Sequence, residues 1–248
     1  MPGNPLGAAV KTMGSLCCSV SESFFFPTFN RVLGVASPLA LDGDVIDEIR
    51  AFYTGHGVTH YRIEIPQPLL SPSLTPLLER KGLAVATGTS AKSVCALRAL
   101  PELVDGVRVR MLAADDRDAF VEVNRRAWGL PRAYRSWLSG SFAIPGLRHF
   151  GVEVEGGIEA VGSLYVTGKM GWIGYDAVHP AHQGHRYQRA IIIARMHHAR
   201  SLGCELLHVE TMSEAQGEFS PSLRSMLGSG FNYVYDRSYF EPVEVGSP

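Results

Sequence analysis

Residues 178–191 read VHPAHQGHRYQRAI, and their types suggest a site for a phosphorylated ligand. Gly184 opens backbone torsions closed to other residues, and Pro180 stops the apolar run ahead of it. A helix that starts near Tyr187 points its unpaired N–H groups back at this loop, which makes an anion site from main chain alone. From Ala177 to Cys204 there is no Asp or Glu, against four arginines (186, 189, 195, 200) and five histidines. A cationic helix can equally be a solvated face, and that alternative stands beside the phosphate reading. His179, His182 and His185 recur at every third position, a spacing that raises the question of a metal. They lie across a Pro/Gly loop with no carboxylate in the segment, so no metal is expected.

The elements that must position this loop follow from periodicity. Alternating residues up to Val178 form a strand, and YQRAIIIARMHHARSL (187–202) forms a helix closed by Gly203. Before them come a strand at 107–112, a helix opened by Asp115 and Asp116, a short helix near 132–139, and hairpin strands with turns at Gly156–Gly157 and Gly168–Lys169. After them come a strand at 205–211, a helix at 220–230 and a last strand at 231–240. The order predicts an α/β fold with a mixed sheet, in which helix 187–202 bridges a parallel pair. Upstream, residues 24–100 predict a smaller unit: a strand at 29–36, a helix capped at Asp42 or Asp44, a strand at 60–65, a helix at 71–82, and a β pair from LAVATG and SVCALRAL. PELVDG (101–106) reads as the joint, and residues 1–23 as a flexible tail.

Composition sets outer bounds. The net charge of −1 gives no global field toward nucleic acid or a membrane. No apolar run approaches the ~18–20 residues of a membrane span. Cys17, Cys18, Cys95 and Cys204 have neither zinc-ligand nor disulfide-framework spacing, which predicts reduced thiols and a cytoplasmic protein.

The run V-x-P-x-x-Q-G-x-x-x-Q-x-A-I, leaving a strand and entering a helix, resembles the acetyl-CoA loop of the GNAT superfamily of N-acetyltransferases. Gln183, Gly184, Gln188, Ala190 and Ile191 fall in register with the family pattern, and Gly230–Phe231 stand where its closing segment has G-F. The resemblance covers about 107–241, read as the acetyltransferase domain; residues 24–100 resemble the shortened N-terminal lobe of two-lobed members. It implies a GNAT-like acyl-CoA N-acyltransferase fold, with acetyl-CoA or another acyl-CoA as co-substrate. It implies that the backbone of Asp176, Ala177 and Val178 pairs with the pantetheine arm. It also implies that Gln183, Gly184, His185, Arg186, Tyr187 and Gln188 hold the pyrophosphate through their amides, with Ser222 near the CoA arm. The acceptor would be a small-molecule or peptide amine that attacks the thioester directly.

Two positions depart from the pattern. Arg186 replaces the second loop glycine, where its guanidinium either folds outward to pair with phosphates or fills the cradle. Met226 stands where many members carry an acidic tyrosine. The base is then Glu210 first, at the end of a strand, or else that residue caps a turn or pairs with an arginine. Asp176 is second, as an ammonium binder interrupting an apolar strand. Trp128, Trp137 and Tyr134 either wall the acceptor site or pack in the core. Two further functions remain open: an acyltransferase drawing on an acyl carrier protein, and a non-catalytic CoA-binding protein. The sequence does not specify the oligomeric state.

Overall fold

The computed structural model describes residues 4, 6–24, 27–213 and 220–243. The fold is mixed α/β, as expected, and the chain divides into two compact units.

The first unit comprises the described residues of Met1–Ala91, Met212–Glu218 and Tyr235–Pro248. Its strands begin with β1 (Ala8–Met13) and β2 (Leu16–Ser21), which pair antiparallel with Met13 opposite Leu16. The stretch expected to be a tail is therefore a hairpin over most of its length. Gly14 and Ser15 form its two-residue turn, with Gly14 at φ +59°. Burial of Leu16, Cys18 and Val20 holds it in place. β3 (Arg31–Leu33) pairs antiparallel with β2 and parallel with β4 (Arg62–Pro66). Helix α1 (Gly43–Gly55) starts at Asp42, whose carboxylate accepts from the Val45 amide at 2.8 Å. Its Ile46, Ile49 and Tyr53 meet Ile63, Ile65 and Phe240 in the core. Helix α2 (Leu74–Arg80) adds Leu74 and Leu78. The expected β pair before residue 100 is instead one strand, β5 (Leu83–Ala96). Gly88, at φ +83°, bends it without reversing it.

The second unit comprises Lys92–Thr211 and Phe219–Val234, of which 220–234 are described at the C-terminal side. Its sheet runs from β6 (Val109–Met111) through β7 (Leu147–Val154), β8 (Gly157–Thr167) and β9 (Met170–Val178) to β10 (Leu206–Ser213). The pairs are antiparallel up to β9, and β9 and β10 are parallel. Helices α3 (Arg117–Ala127) and α4 (Arg135–Gly140) bury Phe120, Val121 and Leu138. Helix α5 (Tyr187–Ser201) joins the parallel pair, as the pattern predicts, and buries Ala190 to Ile193, Arg195, Met196 and Ala199. Helix α6 (Pro221–Leu227) and the start of β11 (Asn232–Pro242) close the chain; the rest of β11 returns to the first unit. All four cysteines are free thiols, and no described helix is long and apolar enough to cross a membrane.

Candidate functional site

The site begins where β9 loses its regular pairing. The parallel ladder covers only Leu206–His208 against Met170–Trp172, and among the described residues β9 and β10 pair no further. On its other side β9 carries a bulge: Ala177 pairs with Val161 and Gly174 with Ser163, leaving Tyr175 and Asp176 opposite Gly162 alone. Tyr175 takes φ +54°, an uncommon conformation for an aromatic residue.

A buried arginine fixes this bulge. Arg195, inside α5 and fully buried, donates to the carbonyls of Ile191 (3.2 Å), Ser163 (2.8 Å) and Gly174 (3.3 Å). Nη1, which also serves Ser163 and Gly174, and Nη2 each meet one carboxylate oxygen of Asp176, the Nη1 contact at 3.2 Å. A Cβ on Gly162 would stand 2.8 Å from the guanidinium carbon, so only glycine leaves room for it. Burial raises the Asp176 carboxyl pKa, while the Arg195 charge and hydrogen bonds pull it back down. Asp176, expected from sequence to bind an ammonium, instead has both carboxylate oxygens on Arg195. Its side chain anchors β9 to α5, and its carbonyl accepts from the Trp128 indole at 3.2 Å.

Past Val178, the turn Pro180–His182 and Gly184 lead into α5. Gly184 has φ +84° and Arg186 has φ +63°. The left-handed region favours glycine, which gives a physical reason for the glycine in the family pattern; arginine at this torsion carries a strain of roughly 1–2 kcal/mol. The N-cap residue Arg186 makes no side-chain capping bond, and among the described residues no side chain accepts from α5's first N–H groups, which face outward. They open on a cavity of about 630 Å³. Asp176, Ala177 and Val178 of β9 line it, as do Gln183 through Arg189 and, from α6, Pro221, Ser222 and Ser225. Arg186 is exposed at this wall, and the cavity is open beside it.

Other expected residues have definite duties. His185 Nδ1 lies 3.0 Å from the Gln183 carbonyl, and its ring stacks on Tyr187. The Ser225 hydroxyl donates to Gln188 at 3.2 Å, and Arg189 donates to the Gly228 carbonyl at 2.6 Å, which ties α6 to α5. Ser220, not Ser222, caps α6, accepting from the Leu223 amide at 3.2 Å. Ser222 is left on the exposed wall of the cavity. Met226 is buried in the core and offers no proton.

Glu210 lies outside the cavity wall. It projects from β10 on the same face as His208, two residues away. Lys92, on β5, donates to His208 Nδ1 (2.7 Å) and to Glu210 (3.3 Å). Lys92 falls in the break expected between LAVATG and SVCALRAL and carries no local signal, although the period-two spacing of His208 and Glu210 does. All three tryptophans gather around Tyr175, with ring centroids at 5.4 Å (Trp137), 5.8 Å (Trp172) and 6.2 Å (Trp128). Tyr134 is buried in the turn that leads into α4.

No family model and no curated protein matches the sequence. Solved structures do match the fold. A GCN5-related N-acetyltransferase from Kribbella flavida aligns with 95% of this chain and 89% of its own, at 12% identity and a TM-score of 0.67. A GCN5-related N-acetyltransferase from Sphaerobacter thermophilus aligns over 92% and 80%, at 15% identity and a TM-score of 0.66. A tandem GNAT protein from the clavulanic acid biosynthesis pathway aligns over 94% and 79%, at 17% identity and a TM-score of 0.64. The parted β9 and β10, the bulge where β9 meets β8 and the helix beyond thus belong to a chain with the two-lobed GNAT fold.

Proposed function

We infer that the protein is an acyl-CoA-dependent acyltransferase that passes an acyl group to an amine. The observation that carries this reading is the cavity at the uncapped start of α5. It joins outward-facing amides, exposed Arg186 and the unpaired edge of β9 in one place. The amides of 183–188 would hold a pyrophosphate, with Arg186 adding charge. The β9 edge from Asp176 to Val178 would pair with an amide-bearing pantetheine arm, which must displace or work around the Trp128 indole on the Asp176 carbonyl.

In the reaction, an amine nitrogen attacks the thioester carbonyl, the C–N bond forms and the C–S bond breaks. The amine's proton must leave, and Glu210 is the proposed acceptor, directly or through water. Lys92, within reach of both Glu210 and His208, would hold that carboxylate in place. Met226 supplies no acid, so the thiolate would leave unprotonated and take a proton from solvent. The amine belongs to a small molecule or a peptide, and the aromatic group around Tyr175 supports an apolar or cationic acceptor.

A second reading, a CoA-binding protein without transferase activity, is favoured by Met226. Thermal shift with acetyl-CoA, CoA and pantetheine tests the donor. Stabilisation by CoA above pantetheine supports the phosphate cradle; the reverse order supports an acyl carrier protein as donor. Thiol release from acetyl-CoA with a panel of amines then separates enzyme from binder.

A further inference from the structure

The structure assigns one more site, which needs no bound coenzyme: we propose that Glu159, His179 and His182 bind a divalent zinc-class ion. The histidine spacing in the loop suggested no metal when taken alone, because no carboxylate accompanied it. The fold supplies one. Glu159 comes from β8, which pairs with β9 beside the start of the loop, and the His179 amide donates to the Glu159 carbonyl at 2.8 Å. The loop then makes a 3-10 turn over Pro180–His182. The His182 amide donates to the His179 carbonyl at 2.8 Å across it, which brings the two rings to 5.8 Å between centroids.

The ligand atoms are already gathered. Glu159 Oε2 lies 3.8 Å from His179 Nδ1 and 3.6 Å from His182 Nε2. All three atoms lie within 4.8 Å of one another. Around a tetrahedral zinc with bonds of about 2.0–2.1 Å, ligand atoms stand roughly 3.3 Å apart, so closing on an ion takes tenths of an ångström at the Glu159 contacts. Two imidazoles and one carboxylate suit zinc, nickel or cobalt. The three side chains are partly exposed, which leaves the remaining coordination positions to water. His185 does not join: its Nδ1 turns to the carbonyls of His182 and Gln183.

The His179 ring shows what the ion would replace. The Ala181 amide donates to Nδ1 at 3.3 Å, and Arg126 lies 3.1 Å from Nε2. A neutral imidazole has one lone pair and cannot accept from both. An ion on Nδ1 puts the proton on Nε2 and releases Arg126, which keeps Glu122 at 2.6 Å as its partner. Arg126 is thus a competitor of the ion, and its removal strengthens binding.

The test uses the full chain without a polyhistidine tag, stripped with chelator, titrated with Zn2+ by calorimetry and with Co2+ by visible absorption. The expected result is one ion per chain with a dissociation constant at or below about 10 μM. Glu159→Gln and His182→Ala should each weaken it by about tenfold or more, with loss of the Co2+ ligand-field bands. Arg126→Ala should tighten it several-fold, while His185→Ala should leave it unchanged. Melting curves of each variant confirm that it is folded, and His179→Ala stands in for any that is not. Absence of one-to-one binding, or binding that Glu159→Gln and His182→Ala leave intact, overturns the assignment. The ion is read without acyl-CoA, so this result and the fate of the acyltransferase reading are independent.

Discussion

The two units each carry a strand that runs into a helix, and the two junctions are built oppositely. In the first unit, β4 is paired on both sides, by β3 and β11. It ends in Pro66, passes Pro68 and Pro72, and enters the seven-residue α2. The prolines have no amide to offer, and the Leu74 amide is taken by Ser71, whose hydroxyl accepts at 3.2 Å. In the second unit, β9 loses β10 after Trp172, and its loop uses Gly184 and a left-handed Arg186 to reach an uncapped helix of fifteen residues. One junction satisfies or removes its donors. The other leaves them aimed at a cavity. The same succession of elements therefore serves as packing in one unit and as a candidate ligand site in the other.

The buried carboxylates sharpen the contrast. Glu64, in β4, has Arg31 at 3.3 Å and Arg237 at 3.5 Å. Among the described residues, Asp176 has its ion pair with Arg195 alone. Arg195→Met should cost about 3–5 kcal/mol in urea unfolding, because it strands a buried charge. Arg31→Met, on a partly exposed arginine with Arg237 still in place, should cost much less. Equal losses would break the distinction.

His149 gives the next largest effect. It is buried in the second unit between Phe120 and Phe142 and hydrogen-bonds Ser163 at 2.7 Å. Burial lowers its pKa to about 4. The unfolded chain takes up a proton near pH 6.5, whereas the folded chain resists until about 4. Stability is therefore whole above pH 6.5, falls as the pH drops between those values, and levels off below. The decline amounts to roughly 3 kcal/mol. His149→Gln should flatten this limb; an unchanged slope would assign it elsewhere.

At the junctions, Arg186→Glu should weaken CoA binding about tenfold, or about 1.4 kcal/mol. Ser71→Ala should cost about 1 kcal/mol of stability and leave CoA affinity unchanged. An equal effect of both on affinity would erase the functional difference between the junctions. The smallest effect is Arg186→Gly, which relieves the left-handed torsion at the expense of a looser unfolded chain, for a net gain of about 0.5 kcal/mol.

Local chemistry was readable in advance. Asp42 as a cap, Gly203 as a stop and the loop before Tyr187 all depend on near neighbours. The hairpin at 8–21 was also written locally, as two short strands around Gly14–Ser15, but the breaks around it drew attention to a tail. Other features depended on partners far along the chain. Lys92 meets His208 and Glu210 across more than a hundred residues, and Glu159 meets the histidine turn only through strand register. Whether Asp176 faced a ligand or an arginine was settled by Arg195, nineteen residues away and about two helical turns inside α5.

Gly162 has a consequence out of proportion to its size. A single methyl there would collide with the guanidinium it faces, and also with Ile191. The position is thus coupled to Arg195: an alanine becomes tolerable only if the arginine shortens, and a shorter residue frees the carboxylate that keeps the neighbouring strand kinked. Variation at 162, 176 and 195 should therefore be concerted, with any one of the three exchanged only in company with the others.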